Sequence, residues 1–170
     1  LLNTGKEGAS RLNAIKKSNR NIKFYQATTS EIFGDSRENF QNEESNFNPK
    51  NPYAISKLFA HLMTRNFREY HNMFAVSGIL FNHESPLRGE EYVTRKIVKG
   101  LVNILNNKQK VLKVGNIDSK RDWGFAKDYV RVMWKMMQQK KPNDFVISSG
   151  KAYTVKYFID LVLKQLKIKG

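Results

Sequence analysis

Cysteine is absent from the 170 residues, histidine occurs three times and proline four. Without cysteine there can be no disulfides and no thiolate metal sites, a composition that suits a cytoplasmic protein. His61, His71 and His83 are dispersed and make no metal-ligand spacing, so a metalloenzyme is not expected. No stretch approaches the roughly 18 apolar residues of a membrane-spanning helix, and no signal-peptide pattern opens the chain. Acidic residues are also scarce, 15 Asp and Glu against 30 Lys and Arg, for a net charge of +15. That excess favours phosphorylated or polyanionic partners. The lysines are scattered and not blocked together, and neither zinc-finger spacing nor an aromatic RNA-binding signature appears. Nucleic acid is therefore not the expected partner.

What is present reads as globular: 40% hydrophobic residues in a length that suggests one domain with a proper core. The chain opens on Leu1 and not Met with "LLNTGKEGASRLNAIKK", a polar helical stretch, and is expected to be a piece of a longer protein. Strands and helices then alternate. "NIKFYQATT" (21–29) is rich in aromatic and β-branched residues and predicts a strand. A polar loop follows from Gly34 to Asn48. Asn51 is a good N-cap and Pro52 suits the first helical position, predicting a helix to about His71. "FAVSGILFN" (74–82) is a short apolar run, as in a buried parallel strand. Further expectations are a helix from Val93 to Asn106, a strand at "KVLKVGN" (110–116) and a helix at "GFAKDYVRVMWKMMQQ" (124–139). A strand at "DFVISSG" (144–150) and an amphipathic helix at "TVKYFIDLVLKQL" (154–166) complete the order. This alternation predicts an α/β fold with a largely parallel sheet.

"NPYAISK" (51–57) sets Tyr53 and Lys57 on one helix face, four residues apart. A phenol ordinarily ionises near pH ~10, and a fixed positive charge beside it favours the ionised form, which makes a proton-transfer catalyst. The spacing alone decides nothing, because roughly one Tyr-x-x-x-Lys is expected by chance and Tyr92 with Lys96 repeats it. The polar residues of "ATTSE" and "FNHES" close two expected strands, where ligands sit in doubly wound sheets. Strand ends also turn polar simply by reaching solvent.

Taken in order, "YQATTSEIFG", "NPYAISK", "GILFNHESPLRG", "YVTRKI", "GNIDSKRDWG" and "DFVISSG" resemble the GDP-mannose 4,6-dehydratases of the extended short-chain dehydrogenase/reductase superfamily, from about Asn21 to Ile168. The resemblance implies a partial Rossmann-like sheet with helices, plus part of a smaller sugar-nucleotide-binding region. Residues from 1 to about 82 would hold the end of the nucleotide-binding core with the catalytic residues. Those from about 83 to 170 would hold a substrate-binding portion interleaved with core strands.

It further implies that Thr29, Glu31, Tyr53 and Lys57 are catalytic and that Tyr92 with Lys96 is not. Tyr53, Lys57, His83 and Arg88 would contact NADP. Ser30, Asn82, Val93, Lys96, Gly115, Asn116 and Arg121 would bind GDP-mannose. The implied reaction is dehydration of GDP-mannose to GDP-4-keto-6-deoxymannose, by a protein that forms homo-oligomers at full length. Leu87 and Phe125 depart from the family pattern, which usually has a second arginine and a histidine there. The superfamily's Gly-x-x-Gly-x-x-Gly turn has no match either: only Gly5 and Gly8 come close, and Arg11 follows. The chain alone is therefore expected to be inactive. The alternatives are a degenerate sugar-nucleotide-binding or assembly partner and, further off, a basic nucleic-acid binder.

Overall fold

A computed structural model describes residues 3–18, 21–35 and 40–167, and the chain divides into two units. The first comprises residues 1–81 and 127–147, the second residues 82–126 and 148–170. Among the described residues no helix is long and apolar enough to cross a membrane.

The first unit is a parallel sheet between helices. It contains α1 (Asn3–Ser18), β1 (Phe24–Thr29), a single 3-10 turn (Ser30–Phe33), α2 (Pro52–His71) and β2 (Ala75–Leu80), then α4 (Ala126–Met137) and β5 (Asp144–Ile147). The strands run β1-β2-β5, parallel throughout, with Phe24 opposite Ala75 and Ser77 opposite Asp144. Every residue of β2 is buried, as expected of a strand covered on both faces. Leu12, Phe24, Phe67 and Ala75 form one apolar cluster with α1 and α2; Val76, Leu80, Tyr129, Met136 and Ile147 form another with α4. Gly5 and Gly8 lie inside α1, where an added Cβ would come within 2.8 Å of the Ser56 carbonyl and of the Gln26 side chain respectively. They are contacts of a packed helix and not the turn of a phosphate-binding loop. The expected loop after Gly34 is confirmed over 40–48; residues 1–2, 19–20, 36–39 and 168–170 lie outside the described residues.

The second unit contains β3 (Asn82–Glu84), α3 (Val93–Leu105), β4 (Lys120–Phe125), β6 (Ala152–Thr154) and α5 (Val155–Gln165). Here β4 pairs in parallel with β3 and antiparallel with β6. Ile97, Leu101 and Val155, with Trp123 and Phe158 against them, form its core. One expectation needs correction. The "KVLKVGN" stretch is no strand: Leu112 and Val114 do pack inward alternately, but this segment has no ladder partner. The strand lies instead at "KRDWGF", whose charges hid it. The expected α/β fold holds: the first unit has the parallel sheet with helices, and the second adds a three-stranded mixed sheet.

Candidate active site

Asn51 starts α2 in extended backbone, and its Oδ1 accepts from the Ala54 N–H at 2.8 Å. With Pro52 next, this fixes where the helix begins and hence where Tyr53 and Lys57 point. Lys57 Nζ lies 5.8 Å from the centre of the Tyr53 ring and donates to the Ala27 carbonyl of β1 at 2.9 Å. Burial lowers the pKa of this ammonium. An ammonium has three donors and Ala27 takes one, so the others can hold hydroxyls of a bound molecule.

Thr29 ends β1, and its Oγ1 accepts from the Glu31 N–H at 3.3 Å, capping the 3-10 turn. The hydroxyl proton is left to be donated outward. Gly34 ends the turn at φ 58°, and any Cβ there would run into the Asn48 carbonyl. Only glycine suits that conformation with a backbone so close. The close approach is what lets Asn48 N–H donate to the Ile32 carbonyl at 2.8 Å and brings the chain back beside the turn. Asn51 Nδ2 then donates to Glu31 Oε2 at 2.8 Å. Thr29, Glu31, Tyr53 and Lys57 thus belong to one unit, on β1, the turn and α2; Ser30 opens the turn, half-buried.

Behind them α2 is fastened to the sheet by buried polar groups. His61 Nδ1 and Ser77 Oγ are 2.8 Å apart, and Ser77 Oγ is 2.8 Å from Thr28 Oγ1. Arg65 and Arg68 both hydrogen-bond the buried Asp144 carboxylate, and Arg68 also reaches the Ala75 carbonyl. Ser, His and Asp in sequence of contact resemble a nucleophilic triad, but Ser77 and His61 are wholly enclosed and no substrate reaches them. Burial, with two guanidinium groups near, pushes His61 down to about 4 against the pull of Asp144, so it is neutral. Burial alone would raise the Asp144 carboxyl, but the hydrogen bonds from Arg68 and Arg65 outweigh it and hold the carboxyl below its usual range.

The remaining candidates lie in the second unit. Asn82 and His83 are half-buried on β3, opposite Trp123 and Gly124. The Arg88 guanidinium lies 3.5 Å from the centre of the Tyr92 ring, and its Nε is 3.4 Å from Glu84 Oε2, which also accepts from Thr94 Oγ1 at 2.6 Å. Val93 is half-buried in the first turn of α3. Lys96 lines an open pocket of about 370 Å³ with Glu90, Lys99, Asn103, Gln109 and Lys113. Gly115, Asn116 and Arg121 are exposed; Asn116 Oδ1 accepts from Asp118 N–H and Arg121 donates to the Lys120 carbonyl. Leu87 and Phe125, the two departures from the pattern, are 94% and 51% exposed.

Three participants escaped the sequence. Asn51 was legible as a cap but not as the partner of Glu31. Glu84 stood in "NHES" without a signal of its own. Asp122, buried in β4, accepts from the Ser149 and Gly150 N–H groups at 2.9–3.0 Å and so holds the turn before β6. Its presence in "KRDWG" was visible, its partner 27 residues away was not.

Known proteins match nearly the whole chain. The family model for GDP-mannose 4,6 dehydratase matches residues 4–170. A GDP-mannose 4,6-dehydratase of Vibrio cholerae is 50% identical over 160 residues, 94% of this chain and 42% of the relative. The Homo sapiens enzyme of that name is 48% identical over 151 residues, 88% of this chain and 41% of its own length. The chain thus spans about two fifths of the relatives it matches. Among solved structures, RMD from Pseudomonas aeruginosa complexed with NADPH superposes with a TM-score of 0.88 at 21% identity, covering 95% of this chain and 57% of that one. A dTDP-glucose 4,6-dehydratase from Bacillus anthracis in complex with NAD gives 0.85 at 20% identity, covering 95% and 51%. These two show a shared Rossmann-like fold.

Proposed function

Because the chain belongs to the GDP-mannose 4,6-dehydratase family, we propose that it is the catalytic portion of an enzyme that dehydrates GDP-mannose to GDP-4-keto-6-deoxymannose with NADP. The observation that carries the reading is the grouping of Thr29, Glu31, Tyr53 and Lys57 around the start of α2. A nicotinamide cofactor, when bound, would supply the hydride chemistry, acceptance from C4 and return to C6. The residues fit such a group in part: the half-buried Lys57 has donors to spare for ribose hydroxyls, with Tyr53 beside it. His83 and Arg88 would contact the same cofactor.

Tyr53 takes the proton of the C4 hydroxyl, its phenolate favoured by the Lys57 charge. Thr29 donates its hydroxyl proton to the C4 oxygen and holds it in line. With C4 a ketone, the C5 proton becomes acidic. Glu31 removes it, the C6 hydroxyl leaves, and the same carboxyl returns the proton to complete the water. As hydride comes back to C6, C5 regains a proton, which balances the one that Tyr53 took. Acid–base groups of this kind typically contribute about 10² to 10⁴-fold each. Ser30, Asn82, Val93, Lys96, Gly115, Asn116 and Arg121 would bind the sugar nucleotide; the planar fork of Arg121 suits a diphosphate.

The chain by itself is proposed to be inactive, since Gly5 and Gly8 serve helix packing and no described residues form a glycine turn for a pyrophosphate. In the full-length protein homo-oligomers are part of the reading; Ile55, Phe59 and Leu62 leave an apolar stripe exposed along α2. The cytoplasm is its proposed place.

The test is turnover of GDP-mannose by a protein carrying these residues at the relatives' full length, beside Tyr53→Phe and Glu31→Gln. Each substitution should lower kcat at least about 100-fold. Wild-type rates in both variants, or robust turnover by the 170-residue chain, would sink the respective claim.

A further inference from the structure

We propose that Asn51 is a positioning residue for this reaction, its side-chain oxygen capping α2 while its amide nitrogen holds the Glu31 carboxylate. The inference rests on the role given to Glu31 above. Both bonds are 2.8 Å long and use opposite ends of one amide. The surroundings fix which end is which. A reversed amide would set its NH₂ against the Ala54 N–H and its oxygen against a carboxylate, two repulsive contacts in place of two bonds.

The consequence is geometric. Glu31 sits exposed on a single 3-10 turn, and a free glutamate spreads over many rotamers. With Oε2 held by Asn51, Oε1 is left to meet a substrate proton from one direction. Because the same residue starts α2, the carboxylate is tied to the helix that carries Tyr53 and Lys57. One side chain therefore sets the base of the elimination step against the acid–base pair of the oxidation step. The Gly34 turn and the bond from Asn48 N–H to the Ile32 carbonyl keep the two segments adjacent.

Serine, aspartate and asparagine all cap helices well, so the cap alone does not call for asparagine. Of the three, asparagine alone can accept from Ala54 and still reach a carboxylate with a donor. Serine is too short, and aspartate would place a second negative charge against Glu31. The substitutions therefore separate the two tasks.

In the full-length protein, Asn51→Ser should keep its melting temperature within a few degrees and its KM nearly unchanged. Its kcat should fall about 10-fold or more, since small misplacements of a catalytic group are costly. The primary isotope effect with GDP-mannose deuterated at C5 should rise, because proton removal becomes slower relative to the other steps. Asn51→Asp should lose more than Asn51→Ser. In the 170-residue chain, the Asn51 side-chain amide signals should shift as Glu31 titrates, and Glu31→Gln should abolish that shift. An inactive Glu31→Gln beside an Asn51→Ser with wild-type kcat and isotope effect would overturn the inference alone. A fully active Glu31→Gln would overturn the role of Glu31 and the inference together. Amide signals indifferent to Glu31 would overturn the bond itself.

Discussion

The two units place polar groups in opposite ways. In the first, residues 1–81 with 127–147, polar side chains go inside: Gln26, Thr28, Ser56, His61, Thr64, Ser77 and Asp144 are all buried. Of these, Thr28, Ser77 and His61 in one chain of bonds, and Asp144 under Arg65 and Arg68, fasten α2 to β1, β2 and β5. The proposed catalytic residues stand at the end of β1, on the turn after it and at the start of α2. In the second, the helices supply the apolar core, while β4 buries only Asp122, a carboxylate that holds a turn. Its candidate substrate residues are mostly exposed and bonded to near neighbours, as with Asn116 and Arg121. Groups proposed to transfer protons thus sit on a scaffold over-determined by buried bonds. Groups that would recognise a ligand sit where side chains can still adjust.

The contrast breaks most severely at Asp144. Asp144→Ala would leave Arg65 and Arg68 facing each other without their carboxylate, and removing one partner of a buried pair costs about 3–5 kcal/mol. Chemical denaturation should show that loss, and one below about 1 kcal/mol would mean that the two arginine ion pairs contribute little to holding α2. Acid provides a milder way to the same end. His61 is held at about 4, below its ordinary 6.5, so the folded protein resists a proton that the unfolded chain accepts. Its contribution is complete above about pH 6.5 and lost as pH falls through 4; Asp144, also held low, is lost in the same direction as it protonates. Melting measured from pH 7 to 4 should reveal up to about 3 kcal/mol of decline. His61→Gln should flatten the part between 6.5 and 4, and an unchanged decline there would place the acid-sensitive group elsewhere.

Asp122→Ala is the matching blow to the second unit. It strips the Ser149 and Gly150 N–H groups of their acceptor, worth about 1–3 kcal/mol, and should loosen β6 without touching the Asp144 cluster. Amide exchange should rise at 149–154 and stay slow along β2. Exchange rising equally in both would show that the two units do not open independently.

The same contrast explains what could be read in advance. The α2 boundary, the buried β2 run and the amphipathic α3 and α5 follow local rules: a cap with proline, a continuous apolar strand, helical spacing. Strand β4 follows none. "KRDWGF" is a strand because β3 and β6 flank it, and such pairing is a long-range fact. "KVLKVGN" fails for the converse reason: it alternates correctly and finds no neighbour. At the candidate site, spacing alone did not separate Tyr53–Lys57 from Tyr92–Lys96; the family resemblance of the segments around them did. The structure places Tyr53 and Lys57 at the capped start of α2 with the ammonium on Ala27, and the Tyr92 ring under Arg88. The Asn51–Glu31 bond spans 20 residues, across a segment whose return depends on the conformation of Gly34.

The smallest effect tests how complete the polar interior of the first unit is. Tyr25 lies on the α4 side of β1, and its hydroxyl is buried without a hydrogen-bond partner among the described residues. Burial pushes that phenol well above its usual range. A Cβ at Gly78 would come within 2.5 Å of the same oxygen, so the glycine makes room for a group that nothing rewards. Tyr25→Phe removes the hydroxyl and leaves the ring in place. An unpaired buried hydroxyl carries a desolvation penalty, so the substitution should be neutral or stabilising by up to about 1 kcal/mol. The denaturant midpoint should hold or rise at constant slope. A fall of more than about 1 kcal/mol would mean that the hydroxyl has a hydrogen-bond partner after all, and that this edge of the first unit's interior is paired like the His61–Ser77–Thr28 chain.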